Sequence, residues 1–147
     1  MRRLRAFAAT GGLVTALLGT GVAVAPTASA APYTCTDAGN IVYPSYYIRM
    51  PVNSTGAGEV DCLLPVGSTG PAVAALQRTL NRCYSAGLDV DGVYGTLTRA
   101  AVTSAQRSAG VTADGVYGPY TAANIRHATW SRDVPDHFLG CRLYSPN

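Results

Sequence analysis

The sequence predicts a mainly α fold, with an irregular or short-β extension before it and a disulfide-tied tail after it. Three observations carry this expectation. Val73, Leu76 and Leu80 recur at helical spacing. A unit that reads as a turn followed by a helix occurs twice, at residues 91–102 and 114–125. Four cysteines lie at 35, 62, 83 and 141, on either side of and within the helical stretch.

The stretch before these elements reads as a signal peptide over 1–30. Arg2, Arg3 and Arg5 form a basic start, an uncharged Ala/Leu/Val/Gly run follows to Ala25, and Ala28-Ser29-Ala30 offers a cleavage site. Cleavage after Ala31 is the alternative cut. A membrane anchor fits less well, because the apolar run is short and rich in small residues. The remaining 31–147 is one domain's worth of chain. The whole chain has 11 basic residues, all arginine, and 8 acids. Without the three N-terminal arginines the charges balance. This argues against nucleic acid as a partner, which would need clustered cations. It also argues against stable membrane association.

An even cysteine count in an exported chain predicts two disulfides. A zinc site would need close pairs such as C-x-x-C, which the spacings do not provide. Four cysteines allow three pairings; we favour Cys35–Cys62, closing the N-terminal edge, and Cys83–Cys141, pinning the tail.

Residues 31–62 form the N-terminal extension. Tyr46, Ile48, Met50 and Val52 share one strand face by alternation. Pro44 and Pro51 confine such a strand to an edge or a short piece. Residues 53–58 read as a turn, and Asn53-Ser54-Thr55 matches the common glycosylation sequon.

Residues 63–130 are expected to be helical. Gly67-Ser68-Thr69-Gly70-Pro71 starts a helix, with Pro71 suited to its first turn. Arg78 and Arg82 fall opposite the apolar stripe, as a solvated face. Gln77 lies at the stripe's edge, and Ala86-Gly87 is the expected stop. Asp91-Gly92-Val93-Tyr94-Gly95 then recurs 23 residues later as Asp114-Gly115-Val116-Tyr117-Gly118, and seven of twelve positions agree across the two copies. In each, Asp-Gly makes a tight turn and the second Gly leads into a helix. Residues 131–147 form a C-terminal tail of little periodicity.

Residues 64–125 resemble the peptidoglycan-binding domain of bacterial cell-wall hydrolases. The resemblance rests on Gly67-Ser68-Thr69-Gly70, Val73, Leu76-Gln77, Asp91-Gly92-Val93-Tyr94-Gly95, Thr98, Ala101-Val102 and Gln106. It continues with Gly110-Val111, Asp114-Gly115-Val116-Tyr117-Gly118 and Thr121. The resemblance implies a small three-helix bundle that binds peptidoglycan without catalysis, usually beside an enzyme domain. Two positions depart from the pattern: Ala105 stands where Phe is usual, and Ala122 where Trp is frequent. Trp130 or Phe138 is then expected to fill the space.

No catalytic or metal constellation is expected, and no cofactor. The cysteines are committed to disulfides, and the single glutamate, Glu59, gives no carboxylate pair for glycoside hydrolysis. His127 and His137, with Asp133 and Asp136, read as solvated polar groups rather than metal ligands. Binding candidates are Tyr94, Thr98, Arg99, Tyr117 and Thr121. The tyrosines serve either as core aromatics or as a groove wall, and the threonines either support the helix starts or meet a ligand. Tyr43, Tyr46 and Tyr47 form a second aromatic cluster, covering the domain or extending a glycan face.

The expected function is a secreted, non-catalytic peptidoglycan-binding protein at the cell wall. Its ligand would be glycan or stem peptide, with a wall hydrolase acting in trans as a further candidate partner. The alternative is a small secreted, disulfide-bonded inhibitor or interaction protein that uses the same fold to bind a protein partner.

Overall fold

The computed structural model describes residues 33–54 and 59–145. The signal-peptide reading (1–30) and the middle of the turn at 55–58 lie outside these residues. Short strands open the described chain: β1 (Tyr33–Thr34), β2 (Asp37–Val42), β3 (Tyr46–Val52) and β4 (Cys62–Leu63). Then come α1 (Pro71–Tyr84), α2 (Thr96–Ser108) and α3 (Pro119–Asn124), and finally β5 (Arg126–Ser131) and β6 (Phe138–Leu143).

The helices arise where the local pattern predicts them. Pro71 and Pro119 occupy first-turn positions, where a missing N–H costs nothing. Val73, Leu76 and Leu80 are completely buried along α1. Burial of each is worth about 2 kcal/mol relative to exposure. The end of α1 comes earlier than expected. Ser85, not Gly87, takes the left-handed cap at φ 52, and Ala86 N–H donates back to the Leu80 carbonyl.

The mainly α, three-helix-bundle expectation is wrong. α3 has only six residues, and four strands form an antiparallel sheet in the order β2-β3-β5-β6. The expected irregular extension supplies β2 and β3. β5 spans residues assigned to the helical zone and the start of the tail, and β6 lies wholly in the tail. Alternation picks out the β3 face, and β2-β3 and β5-β6 are hairpins between chain neighbours. What no local period records is the ladder that joins the two hairpins: Tyr46 pairs with Ser131 and Ile48 with Thr129. Pro51 illustrates the compromise: β3 has β5 beside it only over Tyr46–Ile48, and its Pro51 half pairs with β2 alone. The proline therefore sits where one side of the strand needs no donor.

The core lies between the helices and one face of the sheet. Ile48 and Met50 from β3 join Leu64, Leu76, Leu80, Tyr94, Val102, Tyr117 and Ile125. Trp130 and Phe138 do not fill this core as expected. They pack edge-on against each other at 5.8 Å, and Arg82 covers both rings. The cysteines pair as Cys35–Cys62 and Cys83–Cys141. The first ties the β1 end to β4, and the second ties the last turn of α1 to β6.

Candidate functional site

The two repeat copies build one device twice. In the first, Asp91 Oδ1 accepts from Val93 N–H at 2.8 Å, and Gly92 takes φ 71. Gln77 on α1 then reaches into the turn. Its Nε2 donates to Asp91 Oδ1 at 2.8 Å, Val93 O at 3.1 Å and Thr98 Oγ1 at 3.2 Å, while its Oε1 accepts from Gly92 N–H at 2.9 Å. In the second copy Gln106 on α2 does the same for Asp114 Oδ1, Val116 O, Thr121 Oγ1 and Gly115 N–H. Each helix thus locks the turn that starts the next. Both glutamines are buried, so every bond replaces lost water. The Gln77 amide and the Val93 N–H hold the Asp91 carboxyl below its ordinary range. The Val116 N–H, then the Gln106 amide, do so for Asp114 against a small burial penalty.

Most of the predicted binding residues belong to this device or to the core. Thr98 and Thr121 are buried and donate to Val93 O and Val116 O. Tyr94 is buried with its hydroxyl donating to Gly115 O at 3.0 Å. Tyr117 is completely buried, and its hydroxyl has no hydrogen-bond partner among the described residues. Burial pushes both phenols well above their ordinary range. Of the five, Arg99 alone is exposed, and its stem lies over Gly115. The two histidines are also far apart in character. His127 is buried with Nε2 2.8 Å from Ala122 O, and burial lowers its pKa to about 4. His137 is exposed. Among the described residues no three His, Cys, Asp or Glu side chains gather as a metal site would require.

A concavity lies elsewhere. A groove of about 770 Å³ runs between α1 and the sheet. Tyr47, Arg49, Ala128 and Trp130 line it from β3 and β5. Tyr47 and Trp130 are direct cross-strand partners, and Arg49 follows Tyr47 on the same face. From α1 come Ala75, Arg78, Thr79, Asn81 and Arg82, with Val90 and Asp136 completing the wall. The sequence hid this site. Arg78 and Arg82 read as a solvated helix face, which they are until a sheet is placed beside them. Their i, i+4 spacing is the available signal, together with Tyr47, which reads as part of an aromatic cluster that covers the domain or extends a glycan face; Trp130 reads as a core filler instead. Of the other aromatic cluster, Tyr43 and Tyr46 cover the core: both pack against it, they stack on each other at 4.6 Å, and Arg142 covers Tyr46 at 5.1 Å.

Residues 69–125 match the family model described as "Putative peptidoglycan binding domain". The match takes in α1, α2, both locked turns and α3. Among solved structures, the Burkholderia AP3 phage endolysin is similar at 43% identity, over 42% of this chain and 23% of that one, with a TM-score of 0.37. A peptidoglycan-binding protein from Clostridioides difficile, in complex with glutamine hydroxamate, is similar at 23% identity. That likeness covers 57% of this chain and 53% of the other, with a TM-score of 0.44. The chain thus aligns with less than two thirds of the length of either. No curated protein matches it.

Proposed function

We propose that this chain is an exported, non-catalytic peptidoglycan-binding protein. The observation that carries the reading is the match of residues 69–125 to a peptidoglycan-binding family. Its motif residues assemble in the structure as the paired turn locks of Gln77 and Gln106. A binding role is supported by all four cysteines being in disulfides, which leaves no thiol nucleophile. Export agrees with those disulfides and with the signal-like 1–30. Among the described residues no helix is long and apolar enough to cross a membrane.

The test is co-sedimentation of the oxidised protein with purified, insoluble peptidoglycan. The protein is expected in the pellet, saturably, with no release of soluble wall fragments on long incubation. Protein left wholly in the supernatant would overturn the binding reading. Released fragments would overturn its non-catalytic part.

A further inference from the structure

The groove between α1 and the sheet brings three guanidinium groups into one concavity. We propose that it is a carboxylate-reading site for the peptide part of peptidoglycan, a proposal that rests on peptidoglycan being the ligand. Arg49 comes from β3, and Arg78 and Arg82 come from α1. Arg82 is held over the Trp130 and Phe138 rings at 5.8 and 5.6 Å, which fixes its position while leaving N–H edges for an acceptor. Arg49 and Arg78 are exposed, and neither has a hydrogen bond, ion pair or ring contact among the described residues.

The other arginines of the sheet side are already engaged. Arg126 donates to Cys141 O, Arg132 donates to Tyr43 O and Pro44 O, and Arg142 covers Tyr46. Three arginines against the single Asp136 leave an excess of positive charge on the wall, and like charges so gathered repel one another. Keeping them on one wall suits an anion that arrives from outside. Guanidinium forks match carboxylates in plane and spacing.

The rest of the wall narrows the choice. Asp136 supplies one acceptor for an ammonium group, which disfavours a long polyanion. Tyr47 and Trp130 offer apolar faces for short side chains. A bare glycan would use those faces but has no need of three cations. Stem peptides carry carboxylates, amides and small side chains together. The volume suits a small ligand, since such sites run roughly 300–1,000 Å³. Tyr47, Arg49, Trp130 and Asp136 all lie outside residues 69–125, so this site is an addition by the sheet to the family segment.

The test uses the whole oxidised protein with four probes. These are intact peptidoglycan, peptidoglycan stripped of its stem peptides, a synthetic stem peptide with free carboxylates, and the same peptide with every carboxylate amidated. Arg49→Gln and Arg78→Gln are compared with Arg78→Lys and with Arg107→Ala, an exposed arginine on α2 away from the groove. Thermal melts check that every variant folds. Amidation is expected to weaken peptide binding about ten-fold or more, the usual worth of a charge-assisted hydrogen bond. Each Gln variant should lose about as much for peptide and wall alike. Arg78→Lys should recover part of the loss, and Arg107→Ala should bind as the parent does. Unchanged wall and peptide binding by both Gln variants would overturn the groove while leaving peptidoglycan binding intact. Wall binding that persists after the peptides are stripped would assign recognition to the glycan and overturn the proposal. No wall binding by the parent would overturn this proposal and the reading beneath it.

Discussion

Gln106 Nε2 lies 2.8 Å from Asp114 Oδ1, across the turn that starts α3. Gln77 stands in the same relation to Asp91 at the same distance. The aspartate, glutamine and threonine of each repeat are therefore structural partners, and their recurrence reflects one folding solution used twice. Gln106→Ala should strip Gly115 N–H of its partner inside the protein and leave Val116 O with the Thr121 hydroxyl alone. A cost of about 2–3 kcal/mol is expected, as for buried polar groups left unsatisfied. Gln106→Glu should cost at least as much, since it removes the donor and sets a second carboxylate beside Asp114. Urea unfolding of the two variants measures both.

His127 predicts a pH-dependent stability. Its folded pKa is lowered to about 4 by burial, from an ordinary 6.5. Between those values the unfolded chain binds a proton that the folded chain refuses. Stability therefore falls as pH drops from about 6.5 to about 4, by on the order of 3 kcal/mol in all. Thermal midpoints across that range check it. His127→Phe should lower the midpoint at neutral pH but flatten the dependence.

Asp91 and Asp114 act below that window. Their folded carboxyls titrate below the ordinary 3.8, so their contribution is present above that value. It is lost as pH falls through the folded values. The double variant Asp91→Asn, Asp114→Asn should show a shallower loss of stability below pH about 4 than the parent. Acid titration followed by circular dichroism reads the difference.

The two disulfides should differ in worth. Cys83–Cys141 spans 58 residues and Cys35–Cys62 spans 27. By loop entropy, replacing the first pair with serine should cost about 4 kcal/mol and the second about 3.5 kcal/mol. The first loss should also loosen β6, read as faster amide exchange over Phe138–Leu143.

Gly115 is held as glycine by both its backbone and its surroundings. It takes φ +71, and a Cβ there would meet Arg99 Cγ at 2.7 Å and Thr103 Oγ1 at 2.8 Å. Gly115→Ala combines left-handed strain of about 1 kcal/mol with a steric clash, and should cost about 2 kcal/mol. Gly87 has φ +65 but open space around it. Gly87→Ala should cost about 1 kcal/mol, the strain alone. Parallel denaturation curves separate the two terms.

Local features of this fold were legible in the sequence. The Val73-Leu76-Leu80 stripe and the Asp-Gly turns involve neighbours within one helix or one turn, and spacing reveals them. The glutamine locks were half legible: Gln77 and Gln106 were visible within the motif, but their partners lie 14 and 8 residues further on. The candidate ligand residues stayed open between two readings for a related reason. An aromatic or a hydroxyl between glycines has one chemistry whether it faces solvent or core. Packing placed Tyr94, Thr98, Tyr117 and Thr121 inside.

The amino-acid sequence by itself determined the helices, the turn chemistry, the cysteine complement and the likeness of residues 69–125 to a peptidoglycan-binding family model, because each rests on short-range order. The tertiary structure alone decided the four-stranded sheet and the groove against α1. Tyr47 and Trp130 pair across more than eighty residues of chain. No local period records such a partner, and the arginines become a site only once that pairing sets a wall opposite them.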